Sequence, residues 1–541
     1  MIGEDSVPNI DLNPNDWIEV RRILRTFVPE YPVWAFGSRA GWTAKPYSDL
    51  DLAVVTDRPL SLQTAANLRS AFDESNLPIK VDIVDWATAS DAFRTIIEAG
   101  KVLVLPPAQA LTGWIFKRLI DCTVDGVLSY GIVQPGQHDK DGIPIIRVNN
   151  ISTGELHLDD PMRVSPKIEA NYRRTRLIGG EVLLTVVGTT GQSVVVPESL
   201  AGWNVARAVA VIRPDPEIGA RWINICLQSK SVQQFLDERA NTTVQKTLNL
   251  GDVKEVLIPI PPKEVKHAIE SIAVALDNKI ELNRRMNATL EAMARALFQS
   301  WFVDFDPVRA KLDGRKPVCL DPATAALFPE HLQDSQLGHI PQGWAAGKLG
   351  DIGTNSRFGV QPNDIAPNTP YIALEHMPRR CIALGDWDDS TDIASGKSTF
   401  KKGEILFGKL RPYFHKVGVA PFNGVCSTDI LVLAPKSPEW FGFLLGHASS
   451  DELIQFTDLA STGTKMPRTN WGDISSFKVA LPPKSIAAAF THIMQPMLDR
   501  IHANVHQSRT LATLRDTLLP NLLSGALSVG SAVQSSTGKH E

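Results

Sequence analysis

The sequence predicts a multidomain α+β protein with an N-terminal α/β domain, followed by two mostly β domains that each end in a long helix. Three observations support this class. The chain has 541 residues, which is too many for a single hydrophobic core. A long amphipathic pattern occurs twice, 221 residues apart. Short strand-like runs, interrupted by Gly and Pro, precede each copy of that pattern.

The composition is that of a folded protein, with 43% hydrophobic and 21% charged residues. The net charge of −4 does not by itself indicate a nucleic-acid-binding protein, although local basic surfaces can still bind nucleic acid. No run approaches the roughly eighteen apolar residues of a membrane-spanning helix, and the acidic N-terminus is unlike a secretory signal. The five cysteines lack metal-site spacing. We therefore expect a cytoplasmic protein.

Residues 15–105 alternate between helix-like and strand-like segments. Helices are expected at 17–27 and around 61–72, and strands at 33–36 and 80–86. This order predicts a small α/β domain.

Small and acidic residues follow the first predicted strand. Gly37 and Ser38 lie at a strand-to-helix turn, where backbone amides and a hydroxyl can hold a phosphate. Asp49 and Asp51 are two residues apart on a strand and therefore point the same way. With Asp82 on a neighbouring strand, they could hold Mg²⁺ ions that bridge nucleotide phosphates.

This pattern of Gly-Ser, a short spacer, Asp-x-Asp and a later Asp resembles the minimal nucleotidyltransferases of the polymerase-beta superfamily. The resemblance covers about the first hundred residues. It implies that the metal ligands and catalytic carboxylates are Asp49, Asp51 and Asp82, and that the triphosphate is held by Gly37 and Ser38. It also implies Mg²⁺ and a nucleoside triphosphate (NTP) as cofactor and substrate.

Two features leave this activity open. Asp85, on the opposite face of its strand from Asp82, is the alternative third ligand. Members of the superfamily usually have a Gly five residues after the first motif Gly, and this chain has Trp42 there. A bulky ring at that position could crowd the nucleotide, so the fold is expected more firmly than the catalysis.

The remainder of the chain contains a duplicated unit. Strand-like runs and a helical segment at 220–239 predict a mostly β domain before the first long helix. Adding 221 to the border residues Asn249 and Asp252 gives Asn470 and Asp473, and both long helices follow a Pro-Pro-Lys sequence. The sequences inside the two β domains differ far more than these borders do. The two copies are therefore expected to share a scaffold but to present different surfaces.

This arrangement resembles the specificity subunit of type I restriction-modification systems, in which two target-recognition domains are each followed by a spacer helix. The matching segments are 113–114, 248–252, 258–262, 299–307, 340–344 and 518–525. The resemblance covers about four-fifths of the chain. It implies two helices packed as an antiparallel coiled coil, a double-stranded DNA target, and methyltransferase and restriction subunits as partners. It implies no cofactor for this part.

Together the two resemblances divide the chain. The expected parts are a nucleotidyltransferase-like domain at 1–105, target-recognition domain 1 at 108–262, spacer helix 1 at 263–305, a connector at 306–340, target-recognition domain 2 at 341–483, spacer helix 2 at 484–525 and a disordered tail at 526–541.

DNA contact needs cations for phosphates and hydrogen-bonding groups for base edges. The candidate DNA-binding residues are Arg147, Asn149, Arg173, Arg174, Arg176, Gln245 and Lys246 in the first recognition domain, and Lys409, Arg411, Lys465 and Arg468 in the second. The loops that carry Lys246 and Lys465 are favoured, because both precede the border Asn of their copy. A solvated loop or an exposed charge run is the alternative interpretation for each.

The sequences of the two spacer helices suggest the register in which the helices pair. Asn283 and Asn504 are 221 residues apart, and each lies near the middle of its helix on the predicted seam, to which Met286 and Met293 also belong. If the two Asn residues face each other, they fix the pairing. A helix of about forty residues spans roughly 60 Å. Two recognition domains held that way would reach major grooves one to two turns apart, which predicts a bipartite target.

The sequence therefore predicts a DNA-specificity subunit whose main part is not catalytic. The alternative is an active nucleotidyltransferase that transfers a nucleotide from NTP to a protein or nucleic acid and uses the duplicated part to find its target. A third hypothesis is a DNA-binding protein without partner subunits.

Overall fold

The computed structural model of the protein describes residues 8–29, 31–105, 114–152, 154–158, 161–240, 246–356, 358–391, 393–461, 466–525, 527 and 529. The chain divides into two units, Met1–Leu276 with Thr513–Glu541, and Asp277–Ala512.

The N-terminal domain is a four-stranded sheet with helices packed against it. Its elements are α1 (Pro14–Phe27), β1 (Val33–Phe36), α2 (Gly37–Ala40), β2 (Leu50–Val54), α3 (Leu62–Asp73), β3 (Val81–Asp85), α4 (Asp91–Gly100) and β4 (Val102–Leu105). The strand order is β3-β2-β1-β4, and only β2 and β3 pair in parallel. Trp17 and Leu24 of α1 are buried in the core beside Leu52 of β2. The predicted order of helices and strands is confirmed.

The first recognition domain is mostly β, as predicted. Its elements are β5 (Ile115–Arg118), β6 (Thr123–Tyr130), β7 (Ile143–Ile146), β8 (Ile151–Ser152), β9 (Glu155–Leu156), β10 (Arg163–Val164), α5 (Pro166–Glu169), β11 (Val182–Thr185), β12 (Ser193–Val195), β13 (Asn204–Val205), β14 (Val209–Pro214), α6 (Ala220–Gln228), α7 (Lys230–Arg239), α8 (Leu250–Lys254) and β15 (Leu257–Ile260). The main sheet has the order β12-β11-β14-β6. The helix predicted at 220–239 is two helices, because Ser229 caps α7 by accepting a hydrogen bond from the Val232 amide.

The first spacer helix and the connector follow. They comprise α9 (Lys263–Phe302), α10 (Asp306–Leu312), α11 (Pro322–Leu327), β16 (Leu332–Ser335) and β17 (Gly338–Pro341). Within the connector, β16 and β17 pair as an antiparallel hairpin.

The second recognition domain and its helix complete the chain. Their elements are β18 (Ala345–Lys348), α12 (Leu349–Ile352), β19 (Gly353–Asn355), β20 (Phe358–Val360), β21 (Tyr371–Ile372), β22 (Lys397–Phe400), β23 (Ile405–Gly408), β24 (Val417–Val419), β25 (Gly424–Cys426), β26 (Ile430–Pro435), α13 (Phe441–Ala448), α14 (Asp451–Ala460), α15 (Trp471–Ser476), β27 (Lys478–Leu481) and α16 (Lys484–Leu523). Two four-stranded sheets have the orders β19-β26-β23-β24 and β20-β22-β25-β21.

The duplicated borders have the same structural role in both copies. The strand before each long helix pairs with the strand that opens the same copy, β15 with β5 and β27 with β18. The border residues Asn249 and Asn470 are the N-caps of α8 and α15, and their side chains accept backbone hydrogen bonds from Gly251 and Asp473. The first backbone amides of a helix have no acceptor within the helix, and this explains why an Asn, whose side chain can accept, stands at both positions.

Within the unit Asp277–Ala512, α9 and α16 run antiparallel, but their register differs from the prediction. Asn283 donates to Gln507 Oε1 at 3.0 Å and to Ser508 Oγ at 3.2 Å. Asn504 donates to Asn287 Oδ1 at 2.8 Å. The two predicted Asn residues are both buried on the seam, but each meets a residue about one helical turn beyond the other.

Beyond Asn283, the buried face of α9 is also shifted by one residue from the predicted seam. Met293 was expected there and is 48% exposed, whereas Asn287, Glu291 and Phe298 are buried. Glu291 accepts hydrogen bonds from the Ile382 and Ala383 amides at 3.0 and 3.1 Å. A search for apolar periodicity could not find this face because polar residues with specific partners occupy much of it.

Two residues of the predicted disordered tail, Leu527 and Val529, pack against the core of the first recognition domain. The rest of that tail lies outside the described residues. None of the helices described here is long and apolar enough to cross a membrane.

Candidate functional site

The sheet of the N-terminal domain brings the predicted acidic residues together. β2 and β3 are parallel, and Asp51 lies directly opposite Asp82 in their register. Asp49 lies two residues before Asp51, at the edge where β2 begins. Burial and the nearby carboxylates of Asp82 and Asp49 raise the pKa of Asp51. The three side chains therefore share one electrostatic environment.

Gly37 fits closely against this group. Its φ of +73° is left-handed, and a Cβ built there would lie 2.5 Å from Asp51 Oδ2. Only glycine permits both the conformation and the close approach. The turn at Gly37 and Ser38 therefore borders the carboxylates, which is the arrangement that a bound nucleotide phosphate would require.

Asp82 is engaged by another side chain. Its carboxylate accepts a hydrogen bond from Lys80 Nζ at 2.5 Å. Among the residues that the structure describes, no three His, Cys, Asp or Glu side chains are already gathered as a metal site. A cation at this position would have to replace Lys80 as the neighbour of Asp82.

The alternative ligand Asp85 has a structural role. One carboxylate oxygen accepts from the Thr56 hydroxyl and the Ala87 amide at 2.7 and 3.1 Å, and the other accepts from the Leu60 amide at 2.7 Å. These bonds hold the segments beyond β2 and β3 and leave Asp82 as the better candidate for the third carboxylate.

Trp42 occupies the position where the superfamily usually has glycine. Its φ is +57°, a left-handed conformation that L-residues other than Asn, Asp and His seldom adopt. The backbone at Trp42 thus has a shape that glycine adopts readily, although its side chain is an indole ring. Nearby, the buried Arg39 donates to the carbonyl oxygens of Ser48 and Asp11 at 2.9 and 2.6 Å and holds this loop in place.

In the first recognition domain, the loop after β11 pairs with the loop that carries Lys246. The Gly188 amide donates to the Lys246 carbonyl at 2.8 Å, and the Leu248 amide donates to the Val186 carbonyl at 2.8 Å. We call residues 186–188 with 246–248 the first loop pair. The Lys246 ammonium lies 2.7 Å from Asp237 Oδ1.

The second recognition domain repeats this pairing. The Arg411 amide donates to the Pro467 carbonyl at 2.7 Å, and the Thr469 amide donates to the Lys409 carbonyl at 3.0 Å. Residues 409–411 with 467–469 form the second loop pair. The positions 246 and 248 correspond to 467 and 469 with the same offset of 221 residues. The two domains therefore present the same backbone frame with different side chains.

An open depression extends the first loop pair. Arg147, Asn149 and Gln192 line it together with Gly188 of the loop pair. The structure thus brings Arg147 and Asn149 to the same surface as the loop that carries Lys246.

The arginine run of the first domain does not behave as one group. Arg176 forms a two-bonded ion pair with the buried Glu169, which also accepts from Asn204. Its guanidinium holds the pKa of Glu169 below the usual range. Arg176 is therefore better explained as a structural residue than as a DNA contact. Arg173 and Arg174 are exposed, and no hydrogen bond among the described residues joins either of them to the loop pair.

The second loop pair carries its cations close together. Lys409 Nζ and Arg468 Nε lie 3.8 and 3.1 Å from the same Asp429 carboxylate. Sequence reasoning missed Asp429, because nothing in its surroundings marks it before the fold places it between two cations. The predicted contacts Gln245 and Lys465 lie outside the described residues.

Family models match both parts of the chain. Residues 23–106 match polymerase beta, nucleotidyltransferase, and residues 136–292 match the type I restriction modification DNA specificity domain. The fold and these matches define a class of protein in which a nucleotidyltransferase domain is joined to a duplicated DNA-specificity module.

Curated relatives match the same two parts. The chain is 24% identical over 335 residues to the type I restriction enzyme MjaIX specificity subunit of Methanocaldococcus jannaschii, covering 59% of this chain and 71% of that protein. Its N-terminal part is 46% identical over 99 residues to the probable protein adenylyltransferase MntA of Haemophilus influenzae, covering 18% of this chain and 87% of that protein.

A solved structure is also similar. It is the type I restriction-modification system S subunit from M. genitalium, with a TM-score of 0.40 and 15% identity, covering 76% of this chain and 96% of that chain. The N-terminal domain therefore belongs to the polymerase-beta nucleotidyltransferases, and residues 136–292 carry a type I restriction modification DNA specificity domain.

Proposed function

We propose that the chain recognises a bipartite double-stranded DNA target and recruits methyltransferase and restriction subunits to it, in the cytoplasm. The observation that carries this proposal is the repeated loop pair. Each copy fixes two loops by the same pair of backbone hydrogen bonds and differs in the side chains it presents. Two surfaces built on one frame suit a target with two separately read parts.

The chemistry of these surfaces supports DNA as the ligand. Arg147 and Lys246 in one copy, and Lys409 and Arg468 in the other, provide cations for phosphates. Asn149 and Gln192 can hydrogen-bond base edges. Recognition of this kind needs no cofactor in the recognition domains.

The proposal is tested by selecting bound sequences from a pool of random DNA duplexes with the full chain. We expect two short specified blocks separated by an unread stretch of fixed length. Lys246→Ala combined with Arg147→Ala should weaken binding and degrade one block. Arg285→Ala is the control, because Arg285 is exposed on α9 and pairs with Glu281. A single uninterrupted motif, or no motif, would contradict the proposal.

We also propose a second function for the N-terminal domain, the transfer of a nucleotide from NTP to a protein or nucleic acid. The raised pKa of Asp51 favours this second function, because neighbouring carboxylates repel one another and a bound cation would relieve that repulsion. If Mg²⁺ binds, Asp49, Asp51 and Asp82 would hold it, and the turn at Gly37 and Ser38 would face the phosphates. The metal would supply neutralisation of phosphate charge.

Labelled ATP and Mg²⁺, added to the full chain with its co-purifying proteins and DNA, test this second function. We expect label on an acceptor with the wild-type chain and none with the Asp49→Ala, Asp51→Ala double variant. Asp91→Ala is the matched control, since Asp91 is an exposed carboxylate on α4. Label that survives the double variant, or no label on any acceptor, would refute it.

A further inference from the structure

The two loop pairs differ at one corresponding position in a way that points to base reading. Gly188 and Arg411 each donate the same backbone hydrogen bond to the opposite loop of their pair. Gly188 has a φ of +80° and Arg411 a φ of +51°. The shared frame thus requires a left-handed residue here, and the second copy meets that requirement with an arginine.

This choice is unfavourable for the isolated backbone. A left-handed conformation is disfavoured for a residue with a Cβ, and Arg411 also precedes Pro412, which disfavours conformations outside the extended region. Glycine at the same place in the first copy shows that the frame itself does not need a side chain. Local strain of this kind is found where a side chain must be held in a particular position.

The side chain of Arg411 is available for a ligand. Among the described residues, its guanidinium has no hydrogen bond or ion pair, and its neighbour is the ring of Phe414, with 5.8 Å from the guanidinium carbon to the ring centroid. The other cations of the second loop pair are engaged, because Lys409 and Arg468 share Asp429. The ring limits the directions that the guanidinium can take.

We propose that Arg411 reads a guanine in the half of the target that the second recognition domain contacts. A guanidinium can donate two parallel hydrogen bonds to O6 and N7 of guanine in the major groove. The first domain has Gly188 at the corresponding position and makes no such contact. The inference rests on the proposed DNA-binding function and makes it specific to one residue and one base.

The test uses the full chain and a pool of random DNA duplexes. Arg411→Gly removes the side chain and places the residue that the backbone prefers, so we expect an unchanged or higher melting temperature. One G·C position of one block should become degenerate, and affinity for the wild-type motif should fall about tenfold to a hundredfold. Asn149→Ala, in the first domain, should degrade the other block and so assigns each block to its domain.

Two further variants separate base reading from general attraction. Arg411→Lys keeps the charge but lacks the two-pronged donor, so the same position should still become degenerate. Arg380→Gly is the matched control, because Arg380 is also left-handed, with a φ of +55°, but its guanidinium pairs with Asp451 at 2.8 Å. Its motif should match that of the wild type.

The outcomes are distinct. If Arg411→Gly selects the wild-type motif, or weakens both blocks equally, the inference is wrong while the proposed function stands. A motif retained by Arg411→Lys would mean that Arg411 contacts phosphate and would also overturn the inference. If the wild-type chain selects no motif, the proposed function fails and the inference fails with it.

Discussion

At the scale of single residues, Gly37 shows how the backbone shapes the nucleotidyltransferase-like site. Gly37→Ala would place a Cβ 2.5 Å from Asp51 Oδ2 at a φ of +73°. We expect a loss of stability of about 1–3 kcal/mol and displacement of the Asp51 carboxylate. Urea denaturation of the full chain measures the first effect, and nucleotide binding measures the second.

Gly41→Ala is the control for this prediction. Gly41 has a φ of −86°, and its added Cβ would meet the Gly37 carbonyl oxygen at an ordinary 3.5 Å. Gly41→Ala should therefore change neither the stability measured by urea denaturation nor the binding of nucleotide. Equal effects of the two substitutions would show that the close approach at Gly37 is not what matters.

His447 gives a pH dependence to the second recognition domain. It is buried among the rings of Phe298, Phe443 and Phe477, and burial lowers its pKa from 6.5 to about 3. Since the unfolded chain then binds the proton more readily, stability should fall as the pH drops below about 6.5. At pH 5 the loss relative to pH 7.5 should be about 2 kcal/mol from this residue.

His447→Phe tests that dependence because phenylalanine does not titrate. Denaturant unfolding at pH 7.5 and pH 5 should show a smaller loss on acidification for the variant than for the wild-type chain. The same loss in both proteins would mean that other groups cause the acid sensitivity.

At the scale of elements, the polar contacts between the spacer helices α9 and α16 are nearly symmetric in position, but their acceptors differ in burial. Asn283 and Asn504 are equivalent positions, and each contacts the residue four places beyond its counterpart in the other helix. The acceptor of Asn283 is the exposed Gln507 or the half-buried Ser508, whereas the acceptor of Asn504 is the buried Asn287. Removing the donor therefore has different consequences on the two sides.

We expect Asn504→Leu to destabilise the chain by about 1–3 kcal/mol, because it leaves the Asn287 carbonyl oxygen buried without that hydrogen bond. Asn283→Leu should leave the melting temperature unchanged or raise it, since its former partners can turn to water. Adding Asn287→Leu to Asn504→Leu should restore part of the loss, as a thermal unfolding series would show. Equal losses for the two single variants would contradict this assignment of partners.

At the scale of the whole molecule, the sequence predicted the parts that local patterns encode. The order of strands and helices in the first hundred residues follows from periodicity, and the duplication follows from one constant offset. One loop of each loop pair could be anticipated because it lies just before a border Asn that caps a helix, whereas its pairing with 186–188 or 409–411 could not.

What the sequence could not predict depends on contacts between distant residues. The seam of α9 was misplaced because Asn287 and Glu291 are buried through hydrogen bonds that no hydropathy pattern reveals. Arg176 looked like a DNA contact until the fold placed it against Glu169. The left-handed backbone of Arg411 also has no signature in its residue type.

Methylation of DNA in cells that produce the chain together with a type I methyltransferase subunit tests the proposed bipartite recognition most directly. Methylated bases should lie within one motif made of two short specified blocks and an unread stretch of fixed length. Substitutions in one loop pair should abolish the recognition of one block of the motif and leave the other block unchanged. Methylation at a single uninterrupted motif, or a pattern that does not depend on this chain, would contradict the proposed recognition.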